Sequence, residues 1–321
     1  MSNYRRTEFD VTDKVNTTDY VQVADEVCVI YKALYQRDPG PSVMQAFTDL
    51  ATLYRGENPE YHACDTDYHD VQHVLDVTLA MARLMDGYKR ATNDRLLDET
   101  LFRLGIVAAL NHDVGYIRHL SDTRHKHGAE YTTTHVGRGV AFLEAYLPRI
   151  GVNGDARAAS RMLHYTGYEM PVSSIDVPPP YQLVGSLLGS ADILAQMADR
   201  CYLEKCHDRL FPEFVLGGID RKRGNDGRDV ILFESPSDLI YKTAGFYKGA
   251  HKRLQQDLGG YFVHLEKHFR GHNLYLSEIE KNISHARQIT GNRDLSLLRR
   301  TPPDTLAGVP DNVPPPKDDG A

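Results

Sequence analysis

The chain is expected to be all-α through most of its length. Three features predict this: a very uneven spread of proline, apolar residues recurring at three- and four-residue intervals, and a near absence of alternating apolar–polar runs. Proline removes a backbone donor and clashes with the preceding turn, so the gaps between prolines mark room for helices. None occurs from Glu60 to Leu147, from Tyr181 to Phe211 or from Ser237 to Arg300.

Taken in order, Val23, Val27, Ile30, Tyr31 and Leu34 form one helical stripe. After the break RDPGPS, Val43, Phe47, Leu50, Leu53 and Tyr54 form a second, and Val74, Leu75, Thr78, Leu79 and Ala82 a third. The run from Leu101 to Leu110 is almost wholly apolar, which predicts a helix buried on all sides. Further helices are expected at 135–147, 155–165, 181–198, 200–210 and 237–285, the last interrupted at Gly245, Gly249 and Gly259–Gly260. With no internal repeat and no dividing linker, residues 18–295 read as one domain. Residues 1–17 read as a flexible N-terminus and 296–321 as a disordered, Pro-rich tail.

Composition narrows the function. The 321 residues carry 37 Lys and Arg against 44 Asp and Glu, a formal charge of −7, which argues against nucleic acid or an anionic membrane as partner. The four cysteines are scattered without a C-x-x-C pair, so neither a disulfide framework nor a zinc ribbon is indicated, and a reducing compartment is expected. The N-terminus has no apolar leader, and the longest clean apolar stretch, Ile106 to Leu110, is too short to span a bilayer. The reading is therefore cytoplasmic, with a small molecule as partner and a homodimer left open. P-loop, dinucleotide-binding and nucleophile-elbow signatures are absent; residues 185–189 read GSLLG, with serine misplaced for the last.

The chain does offer His and Asp where polarity is costly. In Tyr68-His69-Asp70-Val71-Gln72-His73 two histidines stand four apart, predicted to share a helical face; Asp70, not Glu, follows the first, which disfavours a zincin protease. Asn111-His112-Asp113 ends the apolar run, where an ionisable pair needs a partner or a cation to offset desolvation; a plain helix end at Gly115 would also place a histidine there. Asp192 is an isolated acid in an apolar, small-residue helix, a place that a buried capping or hydrogen-bonded Asp could also fill. His135 opens HVGRGVAFLEAYL and His164 lies in RMLHYTGYE; each could line a site or serve the core.

In this order the set resembles the HD superfamily of metal-dependent phosphohydrolases. Within it, residues 68–77 are similar to the Y-H-N-x-x-H-x-x-D-V signature of class I cyclic nucleotide phosphodiesterases. Residues 108–113 resemble their H-D helix, Ala191-Asp192 their late A-D, and FPEFVLGGIDRKRG at 211–224 their E-F-x-x-Q-G-D-x-E-R segment. The resemblance spans roughly residues 60–270 and implies an HD/PDEase-like multi-helix bundle. It also implies two divalent ions (zinc, magnesium or manganese, with iron an alternative). His73, His112, Asp113 and Asp192 would hold the first, Asp113 would bridge, and His69 would act as general acid on the departing O3′ of a cyclic diester.

Three positions depart from that pattern: Asp70 replaces Asn, Tyr116 replaces a further His, and Thr243 stands where a purine-selecting Gln is expected, with Phe246 matching the aromatic clamp. His135 and His164 resemble the additional ligands of HD-GYP-type sites. Tyr68, Thr243 and Phe246 are the substrate-facing candidates. Alternatives are a phosphomonoesterase, a nucleotide or alarmone hydrolase, a di-iron oxygenase, and a non-catalytic regulatory HD domain.

Overall fold

The computed structural model describes residues 5–305 apart from 93, 153 and 225–227; most of the Pro-rich tail, 306–321, lies outside the described residues. Twelve α-helices and one short antiparallel hairpin follow in order among them. They are α1 (Tyr20–Tyr35), α2 (Pro41–Tyr54), α3 (Val71–Ala91), α4 (Glu99–Leu110), α5 (His135–Arg149), α6 (Ala156–Arg161), α7 (Pro179–Ala198), α8 (Tyr202–Lys205), α9 (Phe211–Gly217), β1 (Arg221–Arg223), β2 (Asp229–Ile231), α10 (Pro236–Lys252), α11 (Leu265–Phe269) and α12 (Leu274–Asn292). The all-α expectation holds.

Short polar side chains set the helix starts by accepting orphan backbone N–H groups: Asp19 caps α1, Asp70 α3, Asp98 α4, Asp155 α6, Ser235 α10 and Asn273 α12. Helix α3 is the axis, buried along nearly its whole length between α1, α4, α7 and α11. The apolar run of α4 is buried all round, as its composition requires. Helix α7 packs against α3, and its glycines make room for Tyr165. At Gly189 an added Cβ would sit 2.4 Å from the Tyr165 carbonyl oxygen, so only glycine permits that approach.

Several local expectations are corrected. The stretch 200–210 is not one helix: α8 ends at Lys205 and a π-turn, Cys206–Leu210, leads into α9. Gly245 and Gly249 lie inside α10 without interrupting it, whereas Gly259 and Gly260 do end the helical run, both in the left-handed region at φ +74° and +69°. The hairpin β1–β2, paired Arg221 to Ile231, gave no strand signal because both faces are exposed and no alternation is imposed on it.

Residues 5–17, expected as a flexible lead-in, are folded against the domain. Asp10 is buried and meets Arg83 Nη2 of α3 at 2.5 Å, while Arg5 donates to the Ala198 carbonyl at 2.7 Å. These anchors are polar and aperiodic, so patterning could not reveal them. Part of the expected C-terminal tail is also engaged: the Pro303 carbonyl accepts from Arg209 at 2.6 Å, and the Thr305 hydroxyl donates to Asp70 Oδ2 at 2.6 Å. All four cysteines are free thiols, and no described helix is long and apolar enough to cross a membrane.

Candidate metal centre

Helix α3 begins at Val71, so His69 precedes the Asp70 cap and His73 sits in the first turn. The two histidines therefore do not share a helical face as expected. They converge because the chain turns sharply at the cap, where Asp70 Oδ1 accepts the His73 N–H at 2.9 Å, and their rings end 5.9 Å apart. Helix α4 stops at Leu110, and His112 and Asp113 project from the turn that follows. That turn lies against the start of α5: a Cβ on Gly115 would fall 1.8 Å from the His135 carbonyl oxygen, which makes glycine obligatory there. Asp192 arrives from the middle of α7.

These elements bring ligand atoms of His73, His112 and Asp192 within 4.8 Å of one another. His73 Nε2 lies 3.3 Å from His112 Nε2, 3.3 Å from Asp113 Oδ2 and 3.4 Å from Asp192 Oδ1, and His112 Nε2 lies 3.1 Å from Asp113 Oδ2. Asp113 Oδ2 is buried without a hydrogen bond of proper geometry, despite the two nitrogens beside it. The His112 Nδ1–H donates to the Ala109 carbonyl at 2.8 Å, which turns the Nε2 lone pair inward. Converging lone pairs and an orphaned carboxylate oxygen repel one another unless a proton or a cation lies between them. Two nitrogens at about 2.1 Å from one ion, at the tetrahedral angle, stand about 3.4 Å apart, so the donor set fits a divalent metal.

Charge follows the same geometry. Burial works against protonation of His73, but Asp113 and Asp192 overcome it and push the imidazole up to about 10. His112 is raised as well, burial again being outweighed by Asp113. Asp113 is held well below the ordinary carboxylate range by the histidines, in spite of burial. His135 moves the other way: burial lowers it and keeps its ring neutral.

Beside this group stands a stack of three rings. Tyr116 lies between His69 and His135, 4.3 Å from each and within 20° of parallel. Its phenol is pushed well above the usual range by burial and by Asp113 and Glu213, so it remains neutral. His69 Nδ1 meets Glu213 Oε2 of α9 at 2.6 Å, and Glu213 Oε1 accepts the Tyr68 N–H at 2.7 Å. His135 Nδ1 donates to the Thr132 carbonyl at 2.7 Å, which points Nε2 toward Asp113 Oδ1, 3.7 Å away.

The remaining sequence candidates are placed differently. His164 is not gathered into the group of three; its Nδ1 pairs with Glu169 at 2.7 Å. Tyr68 is buried, its ring beside those of His69 and His73 and its hydroxyl 3.3 Å from Gln196 Oε1. Thr243 is buried in α10 with its hydroxyl donated to the Leu239 carbonyl, so it presents nothing to a ligand, and Phe246 of the same helix is exposed. Glu213 was missed as an individual residue; the only signal was the FPEF segment around it. The signature's Asp76 serves a buried polar cluster with Asp199 and Lys205, where burial and Asp199 push its carboxyl up to about 7.

No family profile and no curated protein matches the chain. Among solved structures it is similar to the phosphodiesterase domain of the RhoPDE fusion protein from the choanoflagellate Salpingoeca rosetta, at 14% identity and a TM-score of 0.47, over 91% of this chain and 97% of the other. A second structure, of the phosphodiesterase domain of Salpingoeca rosetta rhodopsin phosphodiesterase, is 13% identical with a TM-score of 0.48, over 91% and 93% of the two chains.

Proposed function

We propose that this protein is a metal-dependent phosphohydrolase, acting as a phosphodiesterase that opens 3′,5′-cyclic nucleotides to 5′-monophosphates. The observation that carries the reading is the juxtaposition of an inward-facing His/His/Asp/Asp set with a histidine whose outer nitrogen is backed by a buried carboxylate. His73, His112, Asp113 and Asp192 would hold the first ion. Asp113 presents Oδ2 to that group and Oδ1 toward His135, a disposition suited to bridging a second. Divalent ions supply there an acidified water and neutralise phosphoryl charge.

The chain's own groups supply the rest. With Nδ1 held by Glu213, His69 keeps its proton-bearing Nε2 free to protonate the departing O3′, and the Glu213 carboxylate compensates the imidazolium before transfer. Tyr116, stacked on the His69 ring, fixes its plane. Neutral His135 holds a lone pair toward Asp113, and the backing of His112 by the Ala109 carbonyl fixes its tautomer.

The test is product detection with cyclic AMP, cyclic GMP and bis(p-nitrophenyl) phosphate, with and without Mn²⁺ and chelator, on wild type and His69→Ala. Chelator-sensitive conversion of a cyclic nucleotide to its 5′-monophosphate is expected. The variant should retain metal while losing roughly 10²–10⁴-fold in turnover, and less on the ester with the better leaving group. Bound metal with no hydrolysis of any phosphate ester would overturn the reading, and equal losses on both substrates would remove the acid role from His69.

A further inference from the structure

A cavity of about 540 Å³ lies between α2 and α5. Its inner wall is the turn that carries the metal-site residues: Asn111, Val114, Gly115 and Ile117 line it, while His112 and Asp113 project elsewhere. The floor is shaped by sequence. On α5, Ala141 and Ala145 fall one turn apart between the larger Arg138, Phe142 and Arg149, so two missing side chains leave a trough in an otherwise filled helix face. The size is that of a site for a small organic molecule.

The polar groups in the cavity are unequally engaged. Arg138 is spent, donating Nε to the Gly115 carbonyl at 2.7 Å and Nη2 to the Ile117 carbonyl at 2.9 Å. Asp49 is spent as well, accepting from Tyr146 at 2.6 Å and from Gln45 at 2.7 Å. Arg149 has no hydrogen-bond or ion-pair partner among the described residues, although it lines the same space. Tyr61 and Phe142 add aromatic surfaces to the lining, with centroids 6.0 Å apart in an edge-to-face pair. Asn58 is spent, its Oδ1 accepting the Glu60 N–H at 2.9 Å, while the Glu60 carboxylate at the lining adds an acceptor suited to amino or ring N–H groups.

We infer that this cavity is a second ligand site, separate from the metal centre, for a planar ring-bearing organic anion. The anionic group is taken by Arg149, the ring lies over Ala141 and Ala145 against Tyr61 and Phe142, and donors on the ring edge meet the Glu60 carboxylate. A nucleoside monophosphate and a simple aromatic carboxylate share this chemistry. The inference does not depend on the proposed hydrolase activity, because its test reads binding alone.

The experiment is equilibrium dialysis of the full chain against 5′-AMP and, separately, against 4-aminobenzoate, with and without chelator. It is repeated with Arg149→Ala, which removes the guanidinium from an exposed position, and with Ala145→Phe, which fills the trough and leaves the charge. Binding that survives chelator and weakens about 10- to 100-fold in both variants, with metal content unchanged, is the expected result. Binding of AMP without the aminobenzoate identifies a nucleotide site, and the reverse an aromatic-acid site. Failure of both probes to bind wild type, or binding that persists in both variants, overturns the inference.

Discussion

Loading of the metal centre should release protons and should become easier as pH rises. In the metal-free protein His73 carries an imidazole pushed up to about 10, burial being overcome by Asp113 and Asp192, so at pH 7 the proton occupies the place a cation would take. A metal ligand must be a neutral imidazole, and the competing proton lowers apparent affinity by about tenfold for each pH unit below the pKa, or ~10³-fold at pH 7. His112, also raised, works in the same direction, so proton release should accompany ion binding. The sign for stability is opposite. A histidine whose folded pKa lies above its unfolded one contributes stability present in full below about 6.5 and lost as pH climbs toward 10. The metal-free form should therefore soften between pH 7 and 9, over the same range in which metal affinity grows. Calorimetric titration of Zn²⁺ or Mn²⁺ into metal-free protein, in buffers of different ionisation enthalpy, counts the protons, and chelator competition from pH 7 to 9 gives the slope. No proton release together with flat affinity would refute the assignment of His73 as a ligand.

Asp113→Asn should abolish stable metal binding by removing charge from the carboxylate that touches both His73 and His112; metal analysis after desalting checks this, and full occupancy would contradict it. Glu213→Gln should leave metal content intact yet lower turnover, more on a cyclic nucleotide than on the ester with the better leaving group, because the amide no longer holds His69 as proton donor by a charged hydrogen bond. Asp10→Asn should cost roughly 3–5 kcal/mol, seen as a lowered urea midpoint, since it leaves the buried Arg83 guanidinium without its counter-charge.

What could be read from sequence depended on contrast. His112 and Asp113 stood out because a polar pair ends the apolar run of α4, and Asp192 because it interrupts a helix of small residues. His73 was found by spacing, though for a reason only half right: the cap at Asp70 leaves His69 outside the helix, and the rings meet through the bend of the chain. Glu213 is the one charged residue of the short helix FPEFVLG, but the segment is too short to show a period, and only the fold buries the acid while leaving Val215 and Leu216 exposed and carries it across the 144 residues that separate it from His69. His164 shows the converse, a histidine in an apolar stretch whose Nδ1 is met locally by Glu169 five residues on. The lead-in, 5–17, was illegible because it is held by an ion pair and backbone carbonyls, which leave no periodic trace.

That lead-in also fixes an order of assembly. Arg5, Thr7 and Asp10 find their partners far along the chain, at Ala198, Gln72 and Arg83, and Arg83 turns its other nitrogen toward the Tyr275 hydroxyl at 3.2 Å. Nearly the whole chain must exist before the first segment can settle. A nascent chain lacking α12 would hold a half-satisfied guanidinium at its centre, so the helical core closes late and as a unit.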